Sequence, residues 1–163
     1  MKTKNFLILV LGMAWLLTST LPNHAQPAAA PSHRALPTVD LHIGKSTLKT
    51  EIAVTPDELE QGLMYREKLA DNDGMIFVLG PPQAARFWMK NTLIPLSVAF
   101  IDSNGVILEI HDMKPLDETL TCSESNKVCY ALETNLHWFS LNGIKPGDKI
   151  LPPPATLTST TVH

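Results

Sequence analysis

The stretch Ser97-Val98-Ala99-Phe100-Ile101-Asp102-Ser103-Asn104-Gly105-Val106-Ile107-Leu108-Glu109-Ile110-His111 decides how this chain folds. Two runs rich in β-branched and aromatic residues flank Asn104-Gly105, the preferred pair for a two-residue type I′ hairpin turn. That turn sets Ile101 against Leu108 and Ala99 against Ile110, which makes one apolar face. The other face sets Phe100 against Glu109 and Val98 against His111. A mixed face of this kind belongs near an edge or a cleft. An antiparallel hairpin at the middle of the chain predicts a mainly β protein.

Outward from the hairpin, the pattern repeats in shorter pieces. Val39 to Ile43 and Thr47 to Val54 read as strands. Thr55-Pro56-Asp57-Glu58 starts a helix: Thr55 caps, Pro56 suits the first position and Glu58 completes a capping box. The helix is expected to run to about Tyr65, with Leu59 and Leu63 inward. Gly62 inside it costs ~1 kcal/mol relative to Ala, which a close backbone approach would explain. Gly74 to Leu79 reads as a strand broken by Pro81-Pro82, and Arg86 to Thr92 as another. In that second strand Trp88, Lys90 and Thr92 share one face, and Phe87, Met89 and Asn91 share the other. A long loop, Pro115 to Val128, precedes a strand at Tyr130 to Glu133. A short helix at Asn135 to Leu141 stops at Gly143, and Lys149 to Leu151 is the last strand. Many short strands with one or two short helices predict a compact β-sandwich or barrel-like domain.

The ends of the chain read differently. Lys2 and Lys4, an uncharged apolar run from Phe6 to Leu17, and a small residue at Ala25 have the form of a cleavable export signal over residues 1–25. The apolar run is short against the ~20 residues of a spanning helix, so no stable membrane insertion is expected after cleavage. Residues 26–37 form a Pro/Ala-rich linker, 38–151 the single domain, and 152–163, opening on Pro152-Pro153-Pro154, a disordered tail. The expected location is periplasmic or extracellular. Cleavage leaves 11 of the 13 Lys and Arg against 16 Asp and Glu, so the formal charge falls from −3 to −5. A nucleic-acid partner calls for a basic patch, and none is visible. In an oxidising compartment Cys122 and Cys129 read first as a disulfide, contributing ~2–3 kcal/mol. Their spacing fits no common zinc or redox pattern.

A series of motifs runs through the domain: Gly62-Leu63-Met64-Tyr65-Arg66, Gly74-Met75-Ile76-Phe77, Phe87-Trp88-Met89-Lys90-Asn91-Thr92, Pro95-Leu96, Leu132-Glu133, and Gly143-Ile144-Lys145-Pro146-Gly147-Asp148. In this order they resemble the bacterial and archaeal family called domain of unknown function 192, over about Ile52 to Ile150. The resemblance implies a β-rich, sandwich-like domain and no activity. Two departures stand out. Ser97 replaces an Asp common in the family, and Asn135, Leu136 and His137 replace small residues and Gly.

The polar members of these motifs are the candidate site. Arg66, Lys90, Asn91, Thr92 and Glu133 are costly to bury unpaired, so they pair or face a cleft. As a ligand site, Arg66 and Lys90 supply positive charge, Asn91 a hydrogen bond and Trp88 a flat wall, which suits a polar or anionic small molecule. The competing reading is a structural network in which Glu133 pairs with Arg66 or Lys90. The function expected is binding of such a ligand, or of a protein partner, in the cell envelope, with no cofactor. Two alternatives differ in class. A cell-envelope hydrolase would use Glu133 and His137 as acid and base, although no nucleophile motif is present. A soft-metal carrier would hold Cu(I) with Met64, Met75, Met89 and His111-Asp112-Met113, capped by Trp88.

Overall fold

The computed structural model describes residues 35–152 together with Pro154 and Thr156. The export signal, residues 26–34 of the linker and most of the tail lie outside the described residues. The elements are β1 (Thr38–Ile43), β2 (Ser46–Ala53), α1 (Pro56–Gln61), β3 (Asp73–Gln83), β4 (Arg86–Phe87), β5 (Leu96–Ile101), β6 (Ile107–Met113), β7 (Thr121–Cys122), β8 (Val128–Asn135), α2 (Trp138–Leu141) and β9 (Ile150–Leu151). Seven strands form one sheet in the order β6-β5-β8-β3-β2-β1-β9, and β4 pairs with β7 beside it. Among the described residues the fold is mainly β, a sheet curled into a half-barrel with two short helices.

Most neighbours in the sheet are antiparallel; β2 and β3 run parallel, with α1 in the crossover between them, as a parallel pair requires. The curl brings the two edges together at one end. Val106, just before β6, bridges Lys149, just before β9. The amide of Ile107 donates to Asp148 O at 2.9 Å and that of Ile150 to Gly105 O at 2.9 Å.

Side chains alternate across the sheet, so each face has its own core. Leu41, Ile43, Leu48, Ile76, Leu132 and Ile150 fill the inside of the curl, with Trp138 and Phe139 of α2 and Ile144 closing it. Met75, Phe77, Val98, Phe100 and Ala131 line the other face, beneath Leu63, Met89 and Ile94 from the connecting loops. β5 and β8 are therefore covered on both sides. Burial of about a dozen large apolar side chains, each worth roughly 1.5–3 kcal/mol, stabilises this arrangement.

Four local expectations need correction. The hairpin keeps Ala99 opposite Ile110, Phe100 opposite Glu109 and Val98 opposite His111, but Ile101 pairs with Ile107. Asp102 causes the shift. Its Oδ1 accepts from the amides of Asn104 (2.8 Å) and Val106 (2.9 Å), and only Gly105 in the turn has positive φ. The result is a three-residue loop with a bulge, which replaces the type I′ turn and sends Leu108 to the second core. Helix α1 stops at Gln61, well short of Tyr65. Gly62 has φ 45° and ψ −130° and its amide returns to Glu58 O, so the helix cannot continue. A Cβ at Gly62 would lie 3.2 Å from the Phe77 ring, which is the close approach expected there. β3 continues through Pro81-Pro82 to Gln83, because its pairing with β8 breaks after Val78 and resumes only at Gln83; the prolines fall where no ladder bond is needed. The Arg86–Thr92 strand is only two residues long, and the chain turns at Asn91 with φ 57°.

Cys122 and Cys129 are free thiols, so the disulfide expectation is corrected. Cys129 is buried in the inner core, whereas Cys122 lies exposed on the small β4–β7 pair. Among the described residues, no helix is long and apolar enough to cross a membrane.

Candidate functional site

Glu133 sits in the middle of β8, between Met75 of β3 and Val98 of β5 in register. Alternation along β8 turns it away from the inner core, onto the face of Ala131. It is only 4% exposed. No hydrogen bond or ion pair joins its carboxyl to another described residue, and burial alone raises its pKa to about 8. Glu133 therefore carries its proton at neutral pH.

It faces a cavity of about 310 Å³, walled by Leu59, Gly62 and Leu63 around the end of α1, by Phe77 of β3, and by Phe87, Trp88 and Thr92. Phe77 and Phe87 meet edge to face at 5.1 Å, and Phe87 continues onto Phe100 at 5.7 Å. Gly62 matters here because its missing side chain lets the α1 turn close onto Phe77. Trp88 is 38% exposed and stands at the opening. Glu60, Gln61 and Arg86 also line the cavity; Glu60 and Arg86 are exposed to solvent.

The six residues singled out from sequence divide evenly. Trp88, Thr92 and Glu133 line the cavity; Arg66, Lys90 and Asn91 do not. Arg66 forks onto Glu51, with Nη1 2.6 Å from Oε1 and Nη2 2.7 Å from Oε2. It lines a separate hollow with Lys49, Glu51 and Asp73. Lys90 Nζ lies 5.0 Å from the Trp88 ring centre. Asn91 Nδ2 donates to Tyr65 Oη at 2.8 Å, and Asn91 O accepts from the Tyr65 amide at 2.7 Å. The pairing of Glu133 with Arg66 or Lys90 is thus not formed. Sequence reasoning missed Phe77, Phe87 and Arg86 as wall residues, although Phe77 and Phe87 lie inside the motifs.

The alternative chemistries find their residues apart. His137 Nδ1 lies 3.0 Å from Asp112 Oδ2, and it is not among the residues lining the Glu133 cavity. Met75, Met89 and Met113 are buried in the second core, Met64 lines the cavity, and His111 Nε2 lies 2.7 Å from Glu109. The two departures from the family pattern meet each other. Ser97 Oγ donates to Asp112 at 2.5 Å and accepts from the His137 amide at 2.8 Å. Ser97 faces opposite to Val98, so this cluster leaves the cavity unaltered.

Comparison with known proteins agrees with the motif series. Residues 39–151 match the family of uncharacterised ACR proteins called domain of unknown function 192, and the chain belongs to that family. A crystal structure from Sinorhizobium meliloti 1021, described only provisionally as a transcription regulator, is 34% identical. It superposes with a TM-score of 0.69 over 73% of this chain and 96% of that one. A protein of unknown function from Novosphingobium aromaticivorans DSM 12444 is 36% identical, with a TM-score of 0.67 over 76% of this chain and 93% of the other. No curated protein matches the chain.

Proposed function

We propose that this member of the family is an exported binding domain that takes a small polar molecule into the Glu133 cavity. One observation carries the reading: Glu133, a residue 4% exposed whose carboxyl bonds to no other described residue, faces a cavity with aromatic walls. Groups of this kind, in a mostly apolar cleft with few polar residues, mark ligand sites. The anionic form of the reading is weakened, since Arg66 is neutralised by Glu51 and Lys90 lies outside the cavity.

A thermal-shift screen of the chain against metabolites and cell-wall fragments tests the proposal. A ligand at 100 times its dissociation constant raises stability by ~2.7 kcal/mol. The shift should vanish in Glu133→Gln and persist in Arg66→Ala. Loss in Arg66→Ala alone would move the site to the other hollow.

A protein partner is the second reading. Tyr65, Trp88, Leu93 and Leu116 are exposed, and the loops that carry them are joined by the Tyr65–Asn91 and Leu116–Thr92 backbone bonds. Tyr65, Asn91 and Leu116 all have positive φ, a strained state for non-glycine residues that gathers at functional sites. Regulation of transcription is not carried over from the S. meliloti relative, because the net charge of the chain is −3 and nucleic-acid binding calls for a basic patch. Export through the signal at residues 1–25 is part of the proposal. It is tested by the mass of the protein recovered outside the cytoplasm, which should lack those residues.

A further inference from the structure

We propose that the group recognised in this cavity is a protonated alkylamine, with Glu133 as its counter-ion, Thr92 as a further acceptor and Phe77, Phe87 and Trp88 against its carbon chain. This rests on reading the cavity as a ligand site. The charge around Glu133 supports it. β3 contributes only the apolar Met75, Phe77 and Leu79 beside it, and β5 Val98. Beyond Val98, His111 of β6 is held by Glu109. The α1 end adds Glu60, an acid, and β4 adds Arg86. Arg86 is exposed and makes no ion pair to Glu133. The cavity therefore holds a buried acid with no cation paired to it, and its one lining cation, Arg86, is exposed.

An ammonium supplies what is missing. It pairs with the carboxylate, donates hydrogen bonds, and is attracted to aromatic faces. A carboxylate or phosphate ligand would face Glu133 with no buried cation to hold it. A neutral alcohol or amide would use Glu133 in its protonated form. The two surviving classes differ in their proton balance. In the free cavity Glu133 holds a proton at neutral pH. Binding an alkylammonium expels that proton to solvent and leaves a carboxylate–ammonium pair. Binding a neutral ligand keeps the proton in place. Affinity for the amine must therefore rise with pH, and affinity for a neutral ligand must fall as pH passes through the value for Glu133.

The test is titration calorimetry of the full-length chain with n-butylammonium, 1-butanol and butyrate at several pH values, in buffers of different ionisation heat. Butylammonium should bind with nearly one proton released at pH 7. Its affinity should rise about tenfold per pH unit between roughly pH 6 and 7.5 and level off above 8. Glu133→Gln should lose both the slope and most of the affinity. Thr92→Val should weaken binding several-fold while keeping the slope, which guards against a Gln variant that merely fails to fold. Tighter binding of 1-butanol, or affinity that falls as pH rises, would overturn the amine and leave the cavity a binding site. Preference for butyrate would do the same. No binding of any probe would overturn both readings.

Discussion

Glu133 is the residue whose replacement is most informative. A carboxyl raised from 4.5 to about 8 on folding binds a proton in the folded state that the unfolded chain has released. Between those values stability falls as pH rises, and above about 8 the loss is complete. Urea denaturation of the wild type should show this decline from pH 5 to 8.5, and Glu133→Gln should remove it. The variant should be more stable than wild type by roughly 2–5 kcal/mol at pH 8.5 and close to it at pH 5. A second residue-scale prediction concerns Gly74, where a Cβ would lie 2.7 Å from Glu133 O and 2.9 Å from Leu48 Cδ2. Gly74→Ala should lower stability by about 2–4 kcal/mol, read from the denaturant midpoint, because a backbone oxygen cannot step aside. The sequence marked Glu133 through its motif and its cost of burial. It did not say whether a partner waited there, because Glu51, the residue that takes Arg66, lies in a different strand from every motif.

At the level of elements, Glu109 shows how a side chain holds a loop. Burial pushes its carboxyl up, but the Ser125 and Glu124 amides and the His111 ring outweigh that and hold its pKa below the usual value. A depressed carboxylate stabilises above its unfolded pKa and loses that contribution as pH falls through the folded one. Protection of the Ser125 amide against hydrogen exchange, relative to the unfolded chain at the same pH, should therefore fall as the medium turns acid, and Glu109→Gln should show low protection at every pH. The Thr55 cap of α1 makes a smaller contribution: Thr55→Ala should cost ~1 kcal/mol. This helix start was readable because Thr55, Pro56 and Glu58 act on their own neighbours. The hairpin turn was misread because Asn104-Gly105 is a local preference, and the Asp102 side chain offered the amides a competing set of bonds. The strand expected at Arg86 to Thr92 failed for a non-local reason. Asn91 turns to meet Tyr65, 26 residues earlier.

For the whole molecule, the decisive contact is the bridge between Val106 and Lys149, which joins the two edges of the seven-stranded sheet. Removing residues 148–163 deletes β9 and this closure together. Such a chain should melt well below the wild type and expose the inner core, seen as binding of a hydrophobic dye. The alternating strands announced a β fold with two apolar faces. They did not announce that both faces would be covered or that the sheet would curl, because pairing of β1 with β9 and of β8 with β3 links residues far apart in sequence.

That closure also orders events in time. Of the described strands, the one that completes the curl is made last, and it pairs with the one made first. A ribosome-bound or partly threaded chain that ends before Ile150 has no means of sealing its inner core. It should stay loose until β9 has emerged. A chain stalled at Gly147 should be cut readily by protease, and the same chain extended past its terminus by a linker should resist. Such a delay would suit the export proposed above.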